Sequence, residues 1–461
     1  MYKYQDGQIQ ITDFGMPMGV TLSGENRWVK KAQTIPWEEI EKKYAALFKS
    51  ETGNVAKPLR LALGALIIQT ERRISDEEIV MQIQETPCLQ YFCGLTEYKD
   101  EPPFEASSMV HFRKRLTKEI LGEINELIIE KATESSKNDD KPDPPSNDGD
   151  LIVDSTCAPQ NIRFPQDLSL LNEARENLEG MIDELHDCTD GEKPRTYRRN
   201  ARKDFLKTAK KHHKTAKQIR KAIGKQLRYI KRDVEIVEKY LKNGRELRDW
   251  YKNRFETIKI LYSQQLFMYE NRTHQINDRI VSLGQPWIRP IVRGKAKSKC
   301  EFGIKLDISV SDGFTRLEYT SFDAYNESEN LIEIIERYKK RTGFYPKRVL
   351  VDQIFRNRDN IAYCAKNNIR ISGKPLGRPR RDIVIDKKQA RMDEIDRIEV
   401  ERKFSHAKGS FGLGLIRAKL KQTSETAIAL SIVALNIAQI GCVLCAIFWK
   451  WFGTRKIAVV Q

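Results

Sequence analysis

Apolar positions along this chain follow two periods, and the switches between them mark its organisation. From residue 1 to about 135 the helical period dominates. The stretch PLRLALGALIIQ (58–69) reads as one apolar helix, and Ser75 followed three residues later by Glu78 is a capping box that opens the next. Ser107 or Ser108 caps a short helix, MVHFRKRL, that exposes Arg113, Lys114 and Arg115. Small helices around a basic one suit a DNA-binding module of helix-turn-helix kind, although short basic helices are also common in ordinary packing. Residues 136–150, SKNDDKPDPPSNDGD, carry no apolar side chain and cannot offset their ordering entropy by burial, so they read as a disordered linker.

Immediately after it the apolar run Leu151, Ile152, Val153 reads as a strand that ends in Asp154, with an irregular tail from Cys157 to Asp167. From 167 to 285 the helical period returns. Ile219, Ile223, Leu227, Ile230, Val234, Val237 and Leu241 form a heptad seam, Asn243-Gly244 breaks it, and a second helix is expected from Arg245 to Leu283. Together they predict an antiparallel, coiled-coil-like hairpin. Beyond 286 the two stretches EFGIKLDISVSDG and FTRLEYTSFDAY alternate as strands around a turn at Ser311-Asp312-Gly313. A helix over 328–343 closed by Gly343, a short strand KRVLVD ending in Asp352, another near IRISG, and a long helix from Asp386 to Lys408 stopped by Gly409 follow. The expected fold class is α/β (α+β overall): a mixed sheet flanked by helices, interrupted by a helical insertion and preceded by a helical domain. The expected parts are 1–135, the linker 136–150, a first sheet segment 151–166, the insertion 167–285 and the remainder 286–461.

Charge changes this picture in one place. The net charge is +17, and the segment Lys193–Arg232 alone holds 17 Lys or Arg against the single acid Asp204. The basicity therefore belongs to the insertion, where Lys207, Lys210, Lys211 and Lys214 suit a polyanion, either nucleic acid or an acidic membrane surface. Eight scattered cysteines and the absence of a secretory leader at MYKYQDGQ point to reduced thiols in a cytosol. The CxxC at Cys442 and Cys445 has no second pair, so an apolar helix explains it better than zinc. The stretch 427–449 is apolar enough to suggest a membrane span, yet Ser431, Asn436 and Gln439 interrupt it, which favours a helix buried in a core.

The candidate chemistry lies at strand ends. Two apolar strands run into Asp154 and Asp352, and reactive groups gather at carboxyl ends of strands in open α/β sheets. On the helix 386–408, at about 100° per residue, Arg397, Glu401 and Lys408 fall within about 40° of one another while Glu399 points nearly opposite. An acid flanked by two cations suits a metal-and-phosphate site; an ordinary i, i+4 ion pair is the plain alternative. GKPLGRPRRD (373–382), with Arg378 and Arg380, is a basic loop whose Gly-Arg-Pro-Arg is similar to a minor-groove reader, or a merely solvated loop.

With Asp154, Asp352 and Glu401 in that order, the chain resembles the DDE transposases of bacterial insertion sequences, whose catalytic domain is RNase H-like. Arg397, Glu401 and Lys408 stand at the spacings of that family's Tyr-Arg-Glu-Lys pattern, with Glu394 in place of Tyr, and Ile354-Phe355 stand where a Gly is usual after the second Asp. NEARE (172–176), FDAYNES (322–328) and ALNIAQI (434–440) add to the likeness, which extends over nearly the whole chain. The resemblance implies a transposase that cuts element ends and joins them to target DNA, with Asp154, Asp352 and Glu401 holding two Mg²⁺ or Mn²⁺ ions. It also implies DNA contacts by Arg397 and Lys408, a homodimer on DNA, and a cytoplasmic, non-membrane protein. A decayed DNA-binding copy and another RNase H-like nuclease are the alternatives.

Overall fold

The computed structural model describes residues 1–3, 9–48, 52, 54–134, 147–187, 191–292, 300–377 and 386–456, with side chains except at Met18 and from 442 onward. The linker expected over 136–150 and the loop residues Arg378 and Arg380 therefore fall largely or wholly outside the described residues. The chain divides into two units, Met1–Pro159 with Lys305–Ser321 and Tyr325–Gln461, and Gln160–Ile304 with Phe322–Ala324.

In the first unit seven helices precede the sheet: α1 (Arg27–Thr34), α2 (Trp37–Ala45), α3 (Leu59–Arg72), α4 (Asp76–Glu85), α5 (Pro87–Phe92), α6 (Ser108–Arg115) and α7 (Lys118–Glu134). Ser75 caps α4 as the capping box requires, accepting from the Glu78 amide at 3.1 Å. α3 is buried from Leu59 through Ile68, the mark of a central helix with no polar face. Strand β1 (Asp150–Pro159) follows. It does not end at Asp154 as expected. Ser155, Thr156, Cys157 and Ala158 continue it and are buried, because small and β-branched side chains fit a strand covered on both faces.

The second unit holds α8 (Asp167–Leu185), α9 (Arg198–Ala209), α10 (Ala216–Lys242) and α11 (Asp249–Glu270). The heptad seam lies on α10, but it packs against α8 as well as α11: Leu227, Ile230 and Val237 share a core with Leu171, Leu178 and Ile182 and with Phe255, Ile258 and Leu261. A two-helix hairpin is thus corrected to a multi-helix unit, since α8 brings an apolar stripe of its own. The basic run is also a helix by itself, α9, separated from α10 by Lys210–Lys214 and by Thr215, which caps α10 through the Gln218 amide at 3.3 Å. α11 ends at Glu270 rather than Leu283. Strand β2 (Arg289–Val292), not anticipated, pairs antiparallel with Cys300–Gly303.

The chain then completes the first unit with β3 (Cys300–Ser311), β4 (Phe314–Ser321), α12 (Leu331–Thr342), β5 (Arg348–Leu350), α13 (Arg358–Lys366), β6 (Arg370–Ile371), α14 (Lys387–Ser410) and α15 (Lys421–Lys456). Asp312 and Gly313 turn β3 into β4 at φ +52° and +77°, the left-handed pair a two-residue hairpin requires. α13 between the two short strands was missed, and α14 runs through Gly409 to Ser410. Within this unit the strands lie in the order β4-β3-β1-β5-β6, with β1, β5 and β6 parallel and β3–β4 antiparallel. This is a mixed sheet of RNase H-like order.

α15 is long and apolar enough to cross a membrane, yet 72% of its apolar window is buried inside the protein. Ala429, Leu430, Val433 and Ile437 join the core of the N-terminal helices. Asn436 explains the polar interruption. Its amide group donates to Asn125 Oδ1 and to the Thr315 carbonyl, both at 2.7 Å, and its oxygen accepts from the Thr315 amide at 2.9 Å. The residue locks α15 to α7 and β4. Asn436→Leu strands these buried partners and is expected to cost about 3 kcal/mol, read as a lowered thermal unfolding midpoint.

Candidate active site

β5 stops two residues short of Asp352. Its last ladder residue is Leu350, opposite Ile152 of β1, so Asp154 and Asp352 stand at the same register just past the end of the shorter strand. Asp352 caps the turn Gln353–Phe355, accepting from the Gln353 amide at 2.7 Å. Asp154 accepts from the Ser155 amide at 2.8 Å. Burial pushes the Asp154 carboxyl up to about 6; the charges of Asp352 and Glu327 add to the rise, and Arg397 opposes it.

Helix α14 is held over β1 from both ends. Near its start Asp393 is buried and accepts from both Arg370 guanidinium nitrogens at 2.6 Å, while Arg348 reaches Asp393 at 3.3 Å and Asp396 at 3.0 Å and also pairs with Asp150. Further along, the buried Lys403 donates to the Gly313 carbonyl at 2.6 Å and to Gln439 at 3.0 Å. Between these anchors the helical phase turns Arg397 toward β1. Its guanidinium lies 3.9 Å from Asp154 and 3.1 Å from Glu401. Lys408 donates to Thr156 Oγ1 at 2.8 Å, on the Asp154 face of β1. Glu399 lies instead beside the turn at Gly313, as the helix phase predicts.

Asp154 thus meets a helix-borne Arg–Glu pair, with the guanidinium between it and Glu401, and Asp352 stands at the neighbouring register. Among the described residues no three His, Cys, Asp or Glu side chains converge closely enough to hold a metal ion. The donor chemistry still fits a hard divalent cation. Mg²⁺ takes one or two carboxylates and completes its shell with water and substrate oxygens, and a desolvated Asp154 beside Asp352 is an incompletely compensated pair of that kind.

Other expected DNA contacts divide. Arg113 is turned inward, in an ion pair with Asp76 and a 3.1 Å hydrogen bond to Gln69, and Arg115 sits over the Phe48 ring at 5.3 Å. Lys114 is exposed. α6 therefore spends two of its three cations on holding the helical region together. On the second unit Lys207, Lys210 and Lys211 are exposed and Lys214 is partly so.

Sequence reasoning missed Asp307. This fully buried carboxylate on β3 accepts from Ser155 Oγ at 2.5 Å, Tyr325 at 2.6 Å and Asn330 at 2.7 Å, and burial raises its pKa. The one signal in the sequence was an Asp inside the apolar run of DISVS. It braces β1 one residue past Asp154.

The mixed sheet thus carries Asp154 and Asp352 at adjacent strand positions, with the Arg397–Glu401 pair of α14 reaching Asp154. Residues 349–438 match the family described as transposase DDE domain, and residues 20–115 match the one described as transposase domain (DUF772). Both stretches are thus similar to transposase families, in keeping with the resemblance to insertion-sequence transposases. The DDE match spans Asp352, Arg397, Glu401 and Lys408; Asp154 lies outside it and is joined to Asp352 by the pairing of β1 with β5. Over 150 residues the chain is 29% identical to the uncharacterized protein ORF8 in the nfe locus of Rhizobium meliloti, covering 32% of this chain and 70% of that protein. No solved structure matches.

Proposed function

We propose that the protein is an active transposase that cleaves DNA at the ends of its mobile element and joins the freed 3′-hydroxyl to target DNA. The observation that supports this reading is that Asp154 and Asp352 share one register while Arg397 lies between Asp154 and Glu401, in a chain whose two family matches are both to transposase families. Asp154, Asp352 and Glu401 would hold two divalent ions, Mg²⁺ or Mn²⁺, which when bound supply an activated oxygen nucleophile and stabilise the leaving oxygen. Arg397 neutralises Asp154 and Glu401 in the free protein and is placed to turn to a DNA phosphate. Lys408, drawn to Thr156, sets the far end of α14 on β1. The partner is double-stranded DNA, bound by a homodimer in the cytoplasm.

The test is an assay on duplexes carrying the sequences that flank the gene, with Mg²⁺. Cleavage followed by joining is expected. Cleavage without joining would instead mark a nuclease, and binding alone a decayed copy.

The exposed cations of α9 and the following turn supply the sequence-independent part of DNA affinity on this reading. Replacing Lys207, Lys210 and Lys211 by Gln is expected to flatten the slope of log affinity against log salt by about 2–3, near 0.9 for each phosphate that no longer has a neutralising lysine. An unchanged slope would assign the basic run to another partner.

A further inference from the structure

Asp307 stands on β3 between Leu306 and Ile308, all three side chains buried. An apolar residue there would pack without the penalty of an enclosed carboxylate. Three donors offset that penalty. Oδ1 accepts from Ser155 Oγ at 2.5 Å and from the Tyr325 hydroxyl at 2.6 Å, and Oδ2 accepts from the Asn330 amide at 2.7 Å. Two of these donors are themselves fixed. The Tyr325 ring lies 4.8 Å from that of Tyr319 and 4.6 Å from the Lys305 ammonium, which also donates to the Tyr325 carbonyl at 2.9 Å. Asn330 ends the turn Glu327–Asn330, whose Ser328 carbonyl accepts from the buried Asn360 amide at 2.8 Å.

The third donor links this anchor to the candidate site. Ser155 donates its hydroxyl to Asp307 and its backbone N–H to Asp154 Oδ1, the latter at 2.8 Å. The other oxygen, Asp154 Oδ2, faces the Arg397 guanidinium at 3.9 Å. One oxygen of the Asp154 carboxylate is thus gripped while the other is drawn toward a cation. Free of the Ser155 amide, the side chain could swing to the guanidinium through its two torsions. Turning Ser155 away breaks its bond to Asp307, and Tyr325 and Asn330 keep Asp307 from following.

We propose that Asp307 and Ser155 are positioning residues for the reaction: Asp307 fixes Ser155, and Ser155 fixes the Asp154 carboxylate in the orientation that cleavage uses. The inference rests on the reading of Asp154 as a catalytic acid. Loss of a hydrogen-bonded support of this kind typically lowers activity about 10–100-fold, because the reacting geometry tolerates little displacement. The relay requires a hydroxyl at position 155 rather than serine itself. Threonine supplies one and suits a strand.

The experiment compares the full chain as wild type, Ser155→Ala, Ser155→Thr and Asp154→Asn. In chelator and without DNA, hydrogen exchange resolved to single amides compares residue 155 with Val153 on the same strand, and unfolding midpoints confirm that each variant folds. In Ser155→Ala the amide of residue 155 is expected to exchange about five- to tenfold faster relative to Val153, the factor that one hydrogen bond supplies. On the flanking-sequence duplexes that variant is expected to cleave about 10–100-fold more slowly, with end binding within about twofold of wild type. Ser155→Thr is expected to match the wild type in both readouts. Equal acceleration at Val153 and residue 155, or wild-type cleavage by Ser155→Ala, overturns the relay and leaves the catalytic reading of Asp154 standing. Cleavage by Asp154→Asn at the wild-type rate overturns that reading. Should Ser155→Ala fail to fold, Ser155→Cys, whose thiol is a weak donor, is read in its place against the same outcomes.

Discussion

Asp154→Asn is expected to abolish DNA cleavage, by at least about 10³-fold, and at the same time to make the metal-free protein more stable. The loss of activity follows from the proposed role, because an amide is a poor ligand for a hard divalent ion and leaves charge uncompensated where the reaction develops it. The gain in stability follows from burial. The Asp154 carboxyl rises from 3.8 to about 6 on folding, so between those values the folded chain holds a proton that the unfolded chain has released. The stability this contributes is fully present below about pH 4 and is lost as pH rises through about 6. Above that range the ionised group costs the native state about 2–3 kcal/mol, at about 1.4 kcal/mol per unit. The variant lacks this cost. Thermal midpoints in chelator should therefore fall from pH 4 to pH 7 more steeply in the wild type than in Asp154→Asn, with the variant ahead at neutral pH. Added Mg²⁺ should raise the wild type and leave the variant unmoved. A variant that is less stable at pH 7 would mean that Asp154 is compensated by groups other than a metal.

The second large effect separates two acids on one helix. Glu401→Gln is expected to lower strand cleavage about 10³-fold while end binding stays near wild type, and Glu399→Gln to change either by less than threefold. They stand only two positions apart, but the anchors Asp393 and Lys403 hold the phase of α14, so that Glu401 shares Arg397 with Asp154 while Glu399 lies beside the Gly313 turn. Cleavage and gel-shift assays on the flanking-sequence duplexes read both. An inactive Glu399→Gln beside an active Glu401→Gln would overturn the assignment on this helix.

Part of this was legible before any coordinates. The strands around Asp154 and Asp352, the hairpin at Asp312–Gly313, the helix closed by Gly343 and the phase of α14 all follow from local period and turn chemistry, and the structure keeps them. The failures share a cause. From sequence β1 reads as ending at Asp154 because a carboxylate resembles a strand end, whereas the nearby strand end belongs to β5. The α10 seam was paired with one helix because a heptad states that a partner exists but not how many. Arg113 reads as a DNA contact in the sequence because charge along a helix does not say which cations are already used; Asp76, thirty-seven residues away, uses it.

By itself the sequence determined what period, caps and composition can carry: the kinds of element and their order, the confinement of positive charge to one insertion, and the three acids with a cation in helical phase. Those properties depend on neighbours a few residues apart. The tertiary structure alone decided that Asp154 and Asp352 stand at one register, that Arg397 lies between Asp154 and Glu401, and that Asp307 braces β1 beside Asp154. These relations depend on strand pairing and on burial across the fold, where a side chain's charge state and partners are set by groups more than a hundred residues away.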